Sequence, residues 1–436
     1  MKRMVSAIIF FGLILHVNAQ IGRVGINTPT PSAMLHVKDS CVLFTGVYPL
    51  AFTPGAPPVS GAGTRMMWYP DKAAFRAGSV DGSEWNKDNI GSGSIAMGHN
   101  TKASGSPSYV FGESSTASGN GSVAIGNYVE ATSNNAIAFG TLTHATGINA
   151  TTMGQATTAS GMLSTAMGFG SVALGTHSLA TGFFTRAVGN FSTSHGYNTK
   201  SKSYCGTVIG IYNDSTNAGS INSLDANNRL FQVGNGTSDI ARSNAMTVLQ
   251  NGRVGINTVS PSAILHVKDS SVVFTGAGTL PGTPGNPPVS GAGIRMMWYP
   301  DKAALRAGFT PGTGWDKDNI GTYSTAFGYG TKANGQYSTA MGFGSTASSS
   351  FTTAMGYNST ANGAGSTAMG ENSTASGTNS TAMGYGTTAS NSYTTAMGYG
   401  TNANGYGATA IGNQTTSSGE ASTAIGGFTI ASGHYS

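Results

Sequence analysis

Charge is what this chain has least of. Only 8% of its 436 residues are charged, against roughly a quarter in an ordinary globular domain. From Thr322 to Ser436 the sole Lys, Arg, Asp or Glu residues are Lys332, Glu371 and Glu420. The formal charge of +5 rests on 21 basic and 16 acidic residues. They form no Lys/Arg cluster able to track a phosphate backbone, which argues against nucleic acid as a partner. Cysteine is nearly absent too. Of Cys41 and Cys205, the first matches Ser271 in an internal duplication, so no disulfide framework is expected. No apolar run reaches the ~20 residues of a membrane span. His-x-x-x-His, Cys-x-x-Cys and Gly-x-Ser-x-Gly are all missing. The eight histidines are scattered, and His36 and His266 sit in matching Leu-His-Val contexts that read as strand surface. Glycine pairs such as Gly384 and Gly386 belong to a repeat and not to a phosphate loop, and no Asp run supports a calcium-binding roll. No catalytic, cofactor-binding or metal-binding residue emerges, no ligand-binding residue is known, and a non-enzyme without a cofactor is expected.

Glycine, at 65 residues, is abundant, and it recurs in step. An Ala-apolar-Gly anchor falls every fourteen residues from Ala326-Phe327-Gly328 through Ala340-Met341-Gly342 to Ala424-Ile425-Gly426, eight times without insertion. A fixed short period marks a solenoid, one coil per block. A second array begins at Ala96-Met97-Gly98 and holds its period through Ala166-Met167-Gly168. Its next anchor, Ala173-Leu174-Gly175, comes seven residues on. This reads as the loss of half a coil, and it implies coils of two similar seven-residue halves.

The chain also repeats at an offset of 230 residues. Gly22-Arg23-Val24-Gly25-Ile26-Asn27-Thr28 returns from Gly252, and Arg65-Met66-Met67-Trp68-Tyr69-Pro70-Asp71-Lys72 returns from Arg295. The expected organisation is a leader over 1–19, a β-rich module over 20–91, an array over 92–210, and a β connector over 211–251. A second module over 252–321 and a second array over 322–436 follow. The leader shows Lys2 and Arg3, an apolar stretch from Val5 to Val17, and Val17-Asn18-Ala19 as a cleavage site before Gln20. In each module the Pro70-Asp71-Lys72 segment reads as the turn of a hairpin, with a short helix capped by Asp71 as the alternative. In the connector, Asn235-Gly236 and Asn251-Gly252 are hairpin-turn signals.

Strand alternation puts Thr339 and Met341 on one face of a coil and Ser338, Ala340 and Gly342 on the other. The bulky face is the candidate for burial, within a chain or between chains. The Thr374-Ala375-Ser376-Gly377 half reads as a shorter strand, and Gly at both corners suits positive φ. Eight coils at ~4.8 Å each give an array roughly 38 Å long. So thin a coil holds few inward side chains, which implies core shared with neighbouring subunits.

Asn120-Gly121-Ser122-Val123-Ala124-Ile125-Gly126 and Gly170-Ser171-Val172-Ala173-Leu174-Gly175 resemble the head repeats of YadA-like trimeric autotransporter adhesins. That resemblance implies an all-β fold, a left-handed parallel β-roll in two arrays, assembled as a homotrimer with an adhesive surface. The flanking Val254-Gly255-Ile256-Asn257-Thr258 and Trp298-Tyr299-Pro300 resemble fibre proteins of Bacteroidetes-type bacteria and phage tail fibres. The expected function is a secreted or cell-surface adhesin-like fibre, outer-membrane associated, with a host or matrix protein or glycan as ligand. A purely structural shaft is the alternative. Ice binding is a third reading, from the threonine column Thr325 to Thr423. The equivalents Ile95, Val123 and Ile137 place that column toward a core.

Overall fold

A computed structural model describes residues 23–216 and 218–436. The expected leader and its cleavage site lie outside the described residues. The described residues fold almost entirely as strands and turns, in two compact units, Met1–Ser271 and Val272–Ser436.

Within each unit the fourteen-residue block is one turn of a parallel β-solenoid. Thr339–Phe343 pairs in parallel with Thr325–Tyr329 before it and Thr353–Tyr357 after it, Ala340 lying opposite Ala326 and Ala354. The short strand Thr346–Ala347 pairs likewise with Lys332–Ala333 and Thr360–Ala361. Each coil thus gives five residues to one sheet and two to another. In the first unit the long strands run from Ile95–His99 to Thr207–Ile211. In the second they run from Thr325–Tyr329 to Thr423–Gly427.

The small face points inward. Ser338 (1% exposed), Ala340 (0%), Ser345 (0%) and Ala347 (0%) fill one coil. They form two Ser-x-Ala pairs seven residues apart, one from each half. Only small side chains fit between two backbones this close: Ala, Ser and Thr fill most inward positions, with Val110, Val129 and Val208 the bulkier exceptions. The hydroxyls are satisfied locally: Ser338 Oγ donates to Gly335 O at 2.6 Å and Ser345 Oγ to Gly356 O at 2.9 Å. The Thr and Met columns stand on the opposite, outer face, where Thr339 and Met341 are partly exposed, so any core that the threonine column faces lies outside the coil.

The corners obey a seven-residue rule as well. Tyr337, Gly344, Phe351, Asn358, Gly365 and Asn372 all have φ between +52° and +69°. This left-handed turn aims each corner N–H back at the preceding coil, as in Asn358 N to Phe343 O at 2.7 Å. Most of these corners are not glycine, contrary to expectation. Glycine is demanded instead in mid-strand. Gly342 has φ +105°, and a Cβ there would lie 2.1 Å from the backbone oxygen of Gly356. The same crowding repeats from Gly328 to Gly412.

The expected half-coil loss at Ala173 does not occur. Val172–Ala173 is a short strand, paired with Thr158–Ala159 and Arg186–Ala187. The next long strand is Leu179–Phe183, so Ala180-Thr181-Gly182 keeps the period after Ala166-Met167-Gly168. Because the halves are alike, a short half carrying Val and Leu imitates an anchor.

The modules start the arrays. Gly63–Tyr69 and Ala74–Val80 form an antiparallel hairpin, and Phe75–Ser79 then pairs in parallel with the first long strand. The turn Pro70–Lys72 is one 3-10 turn closed by Ala73 at φ 46°. Hairpin and short helix are therefore both present. Asp71 does not cap that turn; its Oδ2 accepts from Gly55 N at 2.8 Å. The hairpin Gly293–Tyr299/Ala304–Thr310 repeats this in the second unit. Upstream, Val24–Ile26 pairs with Leu35–Val37 in a small parallel ribbon. Its counterpart, Val254–Ile256 with Leu265–Val267, joins the first array's sheet through Asn244–Leu249. In the connector, Arg229–Asn235 adds in parallel to the last coil and Asn244–Leu249 folds back antiparallel. Asn251-Gly252 makes the tight turn, Gly252 at φ +83°, whereas Asn235-Gly236 opens a longer loop.

Candidate interaction surface

Two kinds of position hold chemistry: the array ends, where charge is buried, and the outer face of the long-strand sheet, where bulky side chains line up.

At the start of the first array Arg76 is fully buried with no carboxylate. Its guanidinium donates to Phe75 O (2.8 Å), Ser94 O (3.0 Å), Ser94 Oγ (2.9 Å) and Ala103 O (3.0 Å). Beside it Trp85 is buried and donates Nε1–H to Thr101 O at 2.9 Å. Burial pushes Arg76 down to about 10, so it stays cationic at neutral pH. Arg306 and Trp315 repeat the plug, Arg306 also at about 10. Such a side chain satisfies the inward carbonyls that the next coil would otherwise meet. At the far end of the first array Arg229 does the same beside Asp214, its Nη1 3.7 Å from the carboxylate and 2.6 Å from Asp214 O. Burial lowers its pKa and Asp214 opposes that shift. Lys72 donates to Lys87 O and Ile90 O at 2.7 and 2.6 Å, and burial lowers its pKa too. These groups close coils, and their hydrogen bonds go to backbone carbonyls and to Ser94 and Ser324.

Nor do the scattered polar residues converge. Among the described residues no group of three or more His, Cys, Asp or Glu could hold a metal ion. His36 and His266 lie on strands, each Nδ1 3.2 Å from the backbone N of Ser32 or Ser262. His99 lies 3.3 Å from Asp81 and His434 3.2 Å from Glu420, both at the surface. Cys41 and Cys205 are free and exposed.

The outer face is more ordered. Along the second array, Thr, Met and aromatic columns run in register: Thr339 with Thr353, Met341 with Met355, Phe343 with Tyr357. The rings stack coil on coil, Tyr329–Phe343 at 4.6 Å and Phe343–Tyr357 at 4.9 Å. Phe169, Phe183 and Tyr197 do the same in the first array at 4.9 and 5.0 Å. A second ladder, Tyr323–Tyr337–Phe351, stands on the neighbouring corner at 5.0 and 4.9 Å. The ring faces are used within the ladder, so edges and hydroxyls are what a partner meets. Met and aromatic columns left half-exposed on a charge-poor sheet are a continuous unpaired apolar feature.

The sequence profile of the YadA head domain repeat matches the chain in eleven segments, between residues 90 and 185 and between 320 and 436. They fall on the coils just described. The chain carries YadA head domain repeats. Both arrays are thereby left-handed parallel β-rolls, the fold of that repeat. YadA head repeats mark adhesin-like surface proteins of the trimeric autotransporter type, and the family is homotrimeric and found on the bacterial surface. No curated protein matches the chain. Among the described residues no helix is long and apolar enough to cross a membrane.

Proposed function

We propose that the chain is an exported, non-enzymatic adhesin-like fibre protein whose YadA head arrays assemble as three-chain β-rolls and mediate attachment. One observation carries this reading: the coil interior is filled by small side chains, mostly Ala, Ser and Thr, while columns of Met, Ile, Thr and aromatic side chains stand outside in register. Alanine burial alone gives little stabilisation, at ~25 cal/mol per Å² of apolar surface. Ordering the backbone costs ~1–2 kcal/mol per residue. Covering the Met and aromatic columns with two further copies supplies the missing apolar burial. The threonine column shares that face and is covered with it, which argues against ice binding. The ligand expected is a host or matrix protein or a glycan, met at the aromatic corners left outside the trimer.

The test is the solution mass of residues 20–436 together with binding to immobilised matrix proteins and glycans. A trimer that binds supports the proposal, and a monomer overturns it. A trimer that binds nothing, and from which three coils can be deleted without effect, favours the structural-shaft reading. Thermal-hysteresis activity lost on Thr381→Val would revive ice binding.

A further inference from the structure

The outer columns do not stop where the matched repeats stop. In the first unit the register runs Ile95–Phe75–Trp68 and Met97–Ala77–Met66. In the second it runs Thr325–Leu305–Trp298, Phe327–Ala307–Met296 and Tyr329–Phe309–Ile294. The hairpin strands therefore prolong the sheet and keep its bulky face. An edge hairpin with one solvated face ordinarily alternates apolar with polar. Here the inner face is buried, with Met67 at 6% and Met297 at 5% exposure, yet the outer face carries Met66 at 73% and Met296 at 75%. Trp68 and Phe75 join Met66 and Phe44 in lining a cavity of about 260 Å³. Trp298 and Leu305 join Met296, Phe274 and Val289 around one of about 490 Å³. A hairpin buried on its inner side and apolar on its outer side, present twice, is built to be covered on both sides.

We infer that each hairpin is itself a contact between copies of this chain. Met66, Trp68 and Phe75, and again Met296, Trp298 and Leu305, pack against the same module of a second copy. The inference rests on the trimeric reading of the arrays and extends it to segments, 63–80 and 293–310, that lie outside the matched repeats. The occupant follows from continuity. The hairpin face and the array face belong to one sheet in unbroken register, so a copy seated on the coil columns runs onto the hairpin. The modules thereby set where the chains start in step, because a slip of one strand would bring Trp68 against Phe75 and Trp298 against Leu305 in place of the like residue of the second copy.

The experiment is peroxide oxidation of the purified protein over residues 20–436, with N-acetylmethionine in the same tube and peptide mapping by mass spectrometry. Met66 and Met296 are expected to oxidise at least tenfold more slowly than the free reference, alongside Met355 and Met369 of the array. Reference-rate oxidation of Met66 and Met296 with Met355 and Met369 protected would overturn the inference and leave the trimeric arrays standing. Reference-rate oxidation of all four would overturn both. No other protein is present, so protection identifies a second copy, and a hairpin reserved for a foreign partner would oxidise freely.

Discussion

Two glycines on one coil separate the roles that glycine plays in these arrays. Gly384 lies in a long strand at φ +130°, where an added Cβ would sit 1.9 Å from Gly398 O, 2.9 Å from its carbonyl carbon and 3.0 Å from its nitrogen. All three are backbone atoms of the next coil, held in the inter-coil ladder, so none swings aside. Gly384→Ala should cost ~1–3 kcal/mol in backbone strain. The clash adds a comparable amount, as overpacking does elsewhere. Gly386, two residues on, has φ +61° and nothing within 4 Å of its missing Cβ. Asn358, Asn372, Gln414 and Phe428 already occupy that corner in other coils. Gly386→Ala should cost ~1–2 kcal/mol, the ordinary penalty for a left-handed residue. Thermal unfolding by circular dichroism gives the ranking. Amide exchange should show the loss centred on Thr381–Tyr385 and Thr395–Tyr399, because a solenoid couples only nearest neighbours. An effect of Gly386→Ala equal to or larger than that of Gly384→Ala would refute the close-approach argument.

Other outcomes follow from the same geometry. Ala368→Leu should destabilise by ~1–3 kcal/mol or more, read as a lowered melting temperature, since its register neighbours Ala354 and Ala382 are also fully buried. Arg76→Met removes the guanidinium from Ser94 O and Ala103 O, which keep Phe75 N and Gly91 N as donors, and should cost ~1–3 kcal/mol, seen as faster exchange over residues 74–103. Arg76 is charged in both folded and unfolded chains below about 10. Only above that does the unfolded chain hold the extra proton, so its contribution should be flat near neutrality and stability should rise with pH in strong alkali. Arg242 and Lys200 hold the Asp239 carboxyl below its ordinary value of 3.8. That stabilisation is present above this value and is lost as pH falls, so Asn244–Leu249 should exchange faster in acid, and Asp239→Asn should remove the dependence. Met355→Asp with Met369→Asp puts two charges on the outer face and should lower the solution mass while the coil fold, read by circular dichroism, persists.

The period was the most legible feature, because only a stacked coil requires Ala-x-Gly at every fourteenth position. The hairpin at Pro70 was legible from its turn chemistry. The direction of the faces was not. Alternation assigns Thr339 with Met341 and Ser338 with Ala340, but period-two symmetry leaves open which pair points inward. Backbone separation decides it, and it admits small side chains such as Ala, Ser and Thr but not Met or an aromatic ring. The register at Ala173 was misread for a related reason: Val172-Ala173-Leu174-Gly175 in a short half copies the pattern of a long one. Left-handed corners at Tyr337, Phe351 and Asn358 carry no glycine to announce them; the demand comes from a backbone bond to the preceding coil. The buried Arg76, Arg229 and Arg306 were also missed as coil plugs. A lone arginine in an apolar strand was the available signal.

The account depends most on the bulky outer face being shared between copies. Light scattering of residues 20–436 measures this directly. The account requires three times the chain mass, held on dilution to micromolar concentration. A stable, folded species of one chain mass would contradict it.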